Sequence, residues 1–307
     1  MLLMLLKREY ILEREKNNMK KILRTIRKLI TTVSPVMSNK IMYRFRMGKK
    51  LNLKKPETFN EKINYMKLFE YPKNNLIINC TDKYKVRDYI IKKGLGEILN
   101  ELYFVYDSVD QINWELLPKS FVLKCNHGAG YNIICPDKDK LDIEDAKKKL
   151  NTWINEDFGK VSAEPHYSKI DRKIICEKYL DDDIRDYKFY CFNGKPQFFY
   201  VSETPEGSFH NMKSKFFNID GSYAKFKRTD HEELDKDNLV PNNLNEMLEI
   251  VKKLCSEFKF VRVDLFSVNN KVYFSELTFS PCSGFMPFEP EEIDKKYGDL
   301  INLEVEK

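Results

Sequence analysis

Two acidic side chains near the C-terminal end of the chain could bind a metal ion together. Asp264 and Glu276 lie in a stretch that alternates apolar and polar residues, as a β-hairpin does. If residues 269–271 form the connection, Asp264 faces Glu276, and Arg262 faces Thr278. Opposed carboxylates need a proton or a cation between them, and Mg²⁺ favours a few carboxylate oxygens together with substrate phosphates. The pattern therefore predicts a magnesium site, with two solvated acids on an ordinary hairpin as the alternative.

The same register divides the hairpin into a polar face and an apolar face. Arg262 and Thr278 share the polar face with the two carboxylates. The apolar face is predicted to hold Val261, Val263, Leu265, Tyr273, Leu277 and Phe279. We therefore expect one side of the hairpin to line a site and the other side to join the core.

A strand that ends in small residues could bind an anion. Lys124 closes an apolar run, and Gly128 and Gly130 follow in a loop whose backbone amides can approach a phosphate closely. The segment does not match a P-loop, and an ordinary hairpin turn containing glycine is the alternative. By residue type alone, Cys125 and His127 fit packing and loop roles.

A third stretch combines a strand with acidic residues. Residues 173–180 are apolar until Glu177, and Asp181 and Asp183 follow. An exposed strand edge can hydrogen-bond a purine, and an acid just beyond it can bind the ribose. The Asp-x-Asp spacing of Asp181 and Asp183 is also typical of metal-dependent transferases that use sugar nucleotides, so that interpretation stays open.

The elements that position these residues follow from capping residues and periodicity. Helices are predicted over 58–69, where Thr58 and Glu61 form a capping box, over 82–93, where Thr81 is the cap, and over 141–157 and 242–258. Strands are predicted over 120–124, 132–135, 173–180, 186–192 and 196–203. Asn193-Gly194 indicates a tight turn between the last two. This order favours an α+β fold.

Charge is distributed unevenly along the chain. Apolar and charged fractions of 42% and 33% are those of a globular protein, and the formal net charge is +6. Residues 1–55 carry 16 Lys or Arg and 3 Glu, which leaves 37 basic and 44 acidic residues in the remainder. The body is thus net negative, which argues against nucleic acid as a partner.

The cysteines predict a reducing compartment. There are seven, and none are spaced as C-x-x-C, which disfavours a zinc site and a disulfide framework. The sequence therefore predicts a cytoplasmic protein.

The N-terminal segment has the pattern of an amphipathic helix over residues 20–33. At about 100° per residue, apolar side chains occupy one arc and basic side chains the opposite arc. The apolar arc holds Ile22, Leu23, Ile26, Leu29, Ile30 and Val33, and the basic arc holds Lys20, Lys21, Arg24, Arg27 and Lys28. The helix could lie weakly in an anionic membrane surface, or its apolar stripe could pack on residues 56–119. Residues 1–18 could precede an alternative start at Met19.

Several motifs together resemble a known family. In order, they are Thr58-Phe-Asn-Glu-Lys62, Asp82-Lys-Tyr84 with Arg87, Phe121-Val-Leu-Lys-Cys-Asn-His-Gly128, Glu177-Lys-Tyr-Leu180, Asp186-Tyr-Lys-Phe189, Arg262-Val-Asp264 and Glu276-Leu-Thr-Phe279. Their order is similar to that in ATP-grasp enzymes, and more narrowly to the TupA-like family of teichuronopeptide biosynthesis. The resemblance covers roughly residues 50–300.

That resemblance implies an α+β ATP-grasp fold in which two lobes clamp a nucleotide. With the basic segment over 1–55 that the charge distribution indicates, the predicted organisation is a helical subdomain over 56–119, a small lobe over 120–180 and a large lobe with the metal site over 181–307. Nucleotide-binding residues implied by it are Lys83, Lys124, His127, Gly128, Gly130, Glu177, Lys178, Tyr179 and Asp183. Arg262 and Lys188 would be catalytic, and Asp264, Glu276 and Thr278 would hold Mg²⁺. Many ATP-grasp ligases have Asn where this chain has Thr278.

The resemblance also implies a reaction. We expect Mg-ATP to drive ligation of a carboxylate to an amine through an acylphosphate, in surface or capsular polysaccharide biosynthesis. The acceptor would be a small molecule, a glycan or a lipid-linked glycan, and the enzyme would work in the cytoplasm or at the inner face of the membrane. An ATP-grasp kinase, a glycosyltransferase using Asp181 and Asp183, and a non-catalytic scaffold are the alternatives.

Overall fold

The computed structural model of the protein describes residues 22–180, 184–203 and 212–303. It contains a four-stranded and a six-stranded sheet with helices packed around them, as expected for an α+β fold. The helices are α1 (22–33), α2 (Pro35–Met47), α3 (Phe59–Phe69), α4 (Asn75–Thr81), α5 (Val86–Lys92), α6 (Ile143–Ile154), α7 (Phe158–Ser162), α8 (Leu244–Cys255) and α9 (Glu292–Gly298). The expectations about residues 1–18, Asp181 and Asp183 concern positions outside the described residues.

The described residues also form twelve strands. They are β1 (Leu102–Tyr106), β2 (Phe121–Cys125), β3 (Asn132–Cys135), β4 (Ile174–Lys178), β5 (Arg185–Phe192), β6 (Lys195–Glu203), β7 (Lys213–Asn218), β8 (Lys227–Arg228), β9 (Glu232–Glu233), β10 (Phe260–Val268), β11 (Lys271–Thr278) and β12 (Phe288–Glu289). The predicted turn at Asn193-Gly194 joins β5 to β6, and both residues have positive φ, as a type I′ turn requires.

The smaller sheet has the strand order β1-β4-β2-β3, and its neighbouring strands are antiparallel. Burial alternates along β2, so Phe121, Leu123 and Cys125 enter the core. Helix α6, which is capped by Asp142, covers that core. Lys124 therefore projects from the opposite side of the sheet, away from α6.

The larger sheet has the order β11-β10-β5-β6-β7-β9. Side chains that face each other on neighbouring strands share one face of a sheet. One row of such partners runs across five strands and consists of Glu276, Asp264, Lys188, Tyr200 and Phe216. Helix α8 covers the other face, where Cys255 contacts Cys191. The predicted metal residues and Lys188 thus lie on the face that α8 leaves free.

The hairpin of β10 and β11 has the predicted register near its open end. Asp264 pairs with Glu276, and Arg262 pairs with Thr278. The residues that carry the chemistry are therefore opposed as the alternation predicted.

Near its turn, the hairpin differs from the prediction. The connection has two residues, Asn269 and Asn270, with φ of +51° and +62°, as in a type I′ turn. Ser275 forms a bulge opposite the step from Asp264 to Leu265. A bulge of one residue inverts the alternation beyond it, so Phe274 is buried while Tyr273 is half-buried. The prediction that Tyr273 lies on the apolar face is wrong for this reason.

Helices α3 to α5 share a core with the larger sheet. The ring centroid of Phe59 on α3 lies 4.9 Å from that of Phe260, and the Tyr89 hydroxyl on α5 donates to the carbonyl of Leu254 at 2.9 Å. Strand β1, in contrast, belongs to the smaller sheet. This arrangement differs from the predicted separate subdomain over 56–119.

The two predicted caps of this region had different outcomes. Thr58 and Glu61 form the capping box that begins α3. Thr81, however, is the last residue of α4, and its hydroxyl donates to the Ile77 carbonyl. The prediction that Thr81 caps a helix from residue 82 is wrong, because Asp82 instead accepts the amides of the next turn and α5 begins only at Val86.

Helix α1 packs on the body in the opposite orientation to the predicted docking. Its basic side faces the smaller lobe, where Arg24 contacts Glu156 and Arg27 donates to the Ser162 carbonyl. The apolar stripe faces outward, and Leu29 is 64% exposed. Packing of this stripe on residues 56–119 is thus a wrong prediction. Among the described helices, none is both long and apolar enough to cross a bilayer.

Candidate active site

A cleft of about 210 Å³ lies between the two sheets and contains most of the residues predicted to bind the nucleotide. Its charged and polar lining includes Lys83, Arg87, Lys124, Glu177, Lys178, Tyr179 and Glu276. Its apolar walls include Val122, Ile175, Leu180, Ile184, Phe266 and Phe274. An apolar slot with charges at one end can accept a planar base and a polyphosphate.

The two predicted metal carboxylates meet around one guanidinium at the edge of this cleft. Arg262 donates to both oxygens of Asp264 at 2.7 and 2.5 Å, and its Nη2 also donates to Glu276 Oε1 at 3.0 Å. Asp264 is fully buried, whereas the Glu276 side chain is 34% exposed to the cleft. The cation between the opposed acids is therefore supplied by the protein itself.

The surrounding charges keep both acids ionised near neutral pH. Burial raises the pKa of Asp264 to about 6, although Arg262 and Lys188 oppose this rise. Burial also acts to raise the pKa of Glu276, but Lys83, Arg262 and Lys188 outweigh it and lower that pKa to about 2. Both groups are thus negatively charged, and both oxygens of Asp264 already accept hydrogen bonds from Arg262.

Lys188 lies beside the acids as their neighbour on β5. Its Nζ donates to Asp264 Oδ2 at 3.1 Å and also to Asp186. Although burial acts to lower its pKa, these two carboxylates raise the pKa above its ordinary value. Lys188 is therefore a fixed positive charge rather than a proton acceptor. The role of Asp186 was not predicted, although it lies in the Asp186–Phe189 motif.

Lys83 reaches the site from the turn between α4 and α5. Its Nζ donates to the Gly128 carbonyl at 2.6 Å and lies 3.9 Å from Glu276 Oε2. Burial lowers its pKa, and Glu276 opposes this shift. Asn126 holds the turn in place, because its carbonyl accepts the Lys83 amide and its Nδ2 donates to Asp82. Asn126 was not predicted as a positioning residue.

Lys124 and Arg87 converge on one carboxylate. Lys124 Nζ donates to Glu177 Oε2 at 2.6 Å, and Arg87 Nη1 lies 3.4 Å from Glu177 Oε1. All three side chains are mostly buried in the cleft wall. Glu177 therefore acts through its side chain as the partner of two cations.

The predicted purine contact needs a revision. Strand β4 is not an edge, because it lies between β1 and β2. The Lys178 amide donates to the Glu101 carbonyl, and the Lys178 carbonyl accepts from Asn100. Backbone groups of Glu177 and Lys178 are thus engaged within the protein. The prediction that Asp183 binds the ribose concerns a position outside the described residues.

The Gly-containing loop is shaped for close approach, but its histidine points elsewhere. His127 Nε2 lies 3.1 Å from the carbonyl oxygens of both Trp153 and Glu156, and burial lowers the pKa of the ring. A Cβ at Gly128 would come within 2.5 Å of the Tyr131 ring, and Gly130 has φ of +75°. Any phosphate contact here would therefore come from backbone amides rather than from the His127 ring.

The turn after β11 is held by residues that the sequence did not reveal. Cys282 and Ser283 both have left-handed φ values of +51° and +55°. Glu164 accepts hydrogen bonds from the hydroxyls of Ser280 and Ser283, and buried Lys67 donates to the Ser283 carbonyl. Burial lowers the pKa of Lys67 to about 7. Residues distant in sequence thus shape a strained turn next to the metal residues.

Magnesium fits the donor set at this edge. Among the residues that the structure describes, no three His, Cys, Asp or Glu side chains cluster in a way that could hold a metal ion. Mg²⁺ in phosphate-transfer sites typically takes one or two carboxylates and completes its shell with phosphates and water. Asp264 and Glu276 beside the cleft match that pattern. The Thr278 hydroxyl donates to Glu276 at 2.8 Å, so its place as a third ligand stays a prediction.

Comparison with known proteins decides the family. The profile described as TupA-like ATPgrasp matches residues 61–302. The chain belongs to the TupA-like ATP-grasp family. Membership confirms the predicted ATP-grasp fold.

Solved structures provide distant similarities to this TupA-like protein. D-alanine–D-alanine ligase from Bacillus anthracis, complexed with ATP, has a TM-score of 0.39 at 16% identity, covering 66% of this chain and 57% of that one. D-alanine–D-alanine ligase from Helicobacter pylori has a TM-score of 0.45 at 14% sequence identity, and the match covers 80% of this chain and 69% of that one. L-amino acid ligase from Bacillus licheniformis has a TM-score of 0.43 at 14% sequence identity, and the match covers 68% of this chain and 44% of that one. No curated protein sequence matches the chain.

Proposed function

We propose that this TupA-like protein uses Mg-ATP to join a carboxylate to an amine through an acylphosphate, in the biosynthesis of a bacterial surface or capsular polysaccharide. The observation that carries the proposal is the pairing of buried Asp264 with Glu276, which lines a cleft together with Lys83 and Lys124. Two acids that can hold a divalent cation beside two phosphate-binding lysines suit phosphoryl transfer.

We propose one orientation for the nucleotide in the cleft. Its base would lie between the apolar walls contributed by Ile175 and Phe266, because a planar ring gains most from apolar burial there. Its phosphates would extend toward Lys83, Lys124 and the backbone amides of residues 128–130. Tyr179 and Leu180, which follow β4, replace Glu177 and Lys178 in our proposal for base recognition.

Arg262 and Lys188 are the proposed catalytic residues. A carboxylate oxygen of the acceptor attacks the γ-phosphorus, and the bond from that phosphorus to the ADP oxygen breaks. Arg262 and Lys188 would stabilise negative charge on the transferring phosphoryl group, since both are fixed cations on the same face of the sheet as Asp264 and Glu276. When bound, Mg²⁺ would neutralise phosphate charge at Asp264 and Glu276.

The second step forms the amide. The amine nitrogen attacks the acyl carbon, phosphate leaves, and the nitrogen loses a proton. The turn of residues 281–284 lies directly after β11 and would line the acceptor pocket. The acid would be a uronic acid or a peptidyl carboxylate, and the amine an amino acid or amino sugar. A lipid-linked acceptor would place the enzyme at the inner face of the membrane.

Product formation tests the proposal. Purified protein with Mg-ATP should release ADP only when both a carboxylate and an amine are present, or when hydroxylamine replaces the amine and traps the acyl group as a hydroxamate. ADP release with a hydroxyl acceptor, without hydroxamate, would instead identify an ATP-grasp kinase. If UDP-sugars protect the protein thermally while ATP does not, the glycosyltransferase alternative replaces ours.

A further inference from the structure

Helices α1 and α2 carry an outward-facing apolar surface that the ligase reaction does not use. On α1 it consists of Ile22, Ile26, Leu29 and Val33, spaced three or four residues apart. On α2 it continues with Met37, Ile41 and Phe45 at the same spacing. Side chains at this spacing lie on one side of a helix. Val33 and Phe45 are 81% and 83% exposed, respectively, so each helix presents an apolar stripe that no other described residue covers.

Polar contacts on the opposite side hold the two helices to the body. Arg24 donates to Glu156 and to the Tyr131 hydroxyl, and Arg27 donates to the Ser162 carbonyl. On α2, buried Asn39 donates to the Ala163 carbonyl at 3.0 Å. An ordinary surface helix buries its apolar stripe and exposes its charges. Here polar contacts attach α1, polar contacts and the packing of Tyr43 on Phe285 attach α2, and the apolar stripe remains outside.

The segment that carries the stripe is rich in basic residues. Residues 22–55 include no Asp or Glu, and their basic residues are Arg24, Arg27, Lys28, Lys40, Arg44, Arg46, Lys49, Lys50, Lys54 and Lys55. Lys28 and Lys40 have no ion pair within the described part of the chain, and both are exposed. Anionic surfaces attract such a segment, and an apolar stripe among basic side chains is the pattern of helices that lie in a lipid interface.

We infer that α1 and α2 form a docking surface for an anionic lipid bilayer. The inference rests on the membrane placement proposed above and identifies the surface responsible for it. The apolar side chains would enter the boundary between headgroups and acyl chains, while Lys28 and Lys40 would contact lipid phosphates. Charge complementarity favours this occupant over a second copy of the chain, whose α1–α2 surface would bring like charges together.

The attachment of α1 also gives the surface a position relative to the active site. Arg24 contacts Tyr131, which follows directly after the Gly128–Gly130 loop, and Glu156, whose carbonyl accepts from His127. The docking surface is thus joined to the smaller lobe next to the proposed phosphate loop. A bilayer bound there would hold the cleft close to lipid-linked acceptors.

Vesicle sedimentation tests the inference without requiring activity. Full-length protein is mixed with phosphatidylcholine vesicles, with or without phosphatidylglycerol. We expect binding only when phosphatidylglycerol is present. Binding should weaken as salt shortens the Debye length from about 10 Å at 0.1 M to about 3 Å at 1 M. The double variant Leu29→Glu with Phe45→Glu should lower the affinity by about tenfold or more, because both charges would enter the interface.

A matched control separates surface placement from added charge. Ile91→Glu with Leu116→Glu makes the same change at residues that are 59% and 68% exposed elsewhere on the molecule, and it should bind vesicles like the parent. Lys28→Gln and Lys40→Gln should each weaken binding by about fivefold. Failure of the parent to bind, or equal losses in both double variants, overturns the inference. Self-association of the parent that Leu29→Glu with Phe45→Glu abolishes, without vesicle binding, identifies a second copy as the occupant.

Hydroxamate formation in solution distinguishes the two proposals. A parent protein that forms hydroxamate but does not bind vesicles retains the ligase proposal and loses the docking surface. The reverse result retains the docking surface and removes the ligase reaction.

Discussion

The sheet edge that holds Asp264 and Glu276 and helix α1 both direct charged side chains inward, but they satisfy those charges differently. At the edge, Arg262, Lys188, Asp264 and Glu276 lie on adjacent strands and neutralise one another at 2.5 to 3.1 Å. On α1, the guanidinium of Arg27 meets a backbone carbonyl rather than a carboxylate. The first arrangement is a closed network of buried charges, and the second is a polar attachment that leaves an apolar surface outside.

This difference shows where each region is sensitive to change. A buried charge that loses its partner is strongly destabilising, because nothing else can solvate the remaining charge. A partly exposed contact that is lost can be replaced by water. Variants at the edge should therefore affect both folding and activity, whereas variants on α1 should affect mainly what the surface binds.

The largest effects are expected at the two carboxylates. Asp264→Asn and Glu276→Gln should each lower Mg-dependent ATP turnover by about 10²-fold or more. Only Asp264→Asn should also lower the free energy of unfolding substantially, by about 3–5 kcal/mol, because it leaves Arg262 and Lys188 without their buried partner. ADP release and urea denaturation measure these effects. Turnover at the parent rate in both variants would refute the metal assignment.

A smaller effect is expected at the phosphate lysine. Lys124→Met should weaken ATP binding by about 10- to 100-fold and adenosine binding much less, because only the phosphates lose a charge-assisted hydrogen bond. Titration calorimetry with both ligands measures the difference. The control is Lys119→Met, which replaces an exposed lysine on the same lobe. Equal weakening of ATP and adenosine by Lys124→Met would contradict the phosphate role.

A further effect concerns the pH dependence of stability and the buried side chain of His166, whose charged neighbours are Glu164 and Lys67. His166 is buried, its ring nitrogens have no hydrogen-bond partner among the described residues, and burial lowers its pKa to about 4. The unfolded chain therefore binds a proton below about pH 6.5 that the folded protein does not accept until about pH 4. Stability should fall across that window by up to about 3 kcal/mol. In His166→Phe, the free energy of unfolding measured by urea denaturation should fall less over this pH range. An unchanged pH dependence would contradict the role of His166.

The smallest effect sharpens the contrast with the edge. Arg24→Met removes a contact with Glu156 in which the arginine side chain is 47% exposed, so the free energy of unfolding should fall by about 1 kcal/mol or less. Vesicle binding should persist, because the apolar stripe is unchanged. A loss comparable to that of Asp264→Asn would show that α1 is held by a buried network after all.

Local signals were reliable where short-range geometry decides the outcome. The alternation around Asp264 and Glu276 set their pairing, and the capping box at Thr58 set the start of α3. They failed at Tyr273, because a bulge at Ser275 inverts the alternation, and at Thr81, because the neighbouring Asp82 accepts the amides that a cap would have accepted. In both cases one residue next to a correctly recognised motif changed the local hydrogen bonding.

The sequence by itself determined the fold family, the pairing of Asp264 with Glu276 and of Arg262 with Thr278, and the amphipathic character of residues 20–33, because motif order and periodicity are properties of the chain alone. Tertiary structure decided which side of that helix faces the body, since Glu156 and the Ser162 carbonyl attract the basic arc and are distant in sequence. It also decided that Glu177 accepts from Lys124 and Arg87, and that Glu164 and Lys67 hold the turn after β11. Such contacts join residues from separate elements, and no local pattern encodes which distant partner lies within hydrogen-bonding reach.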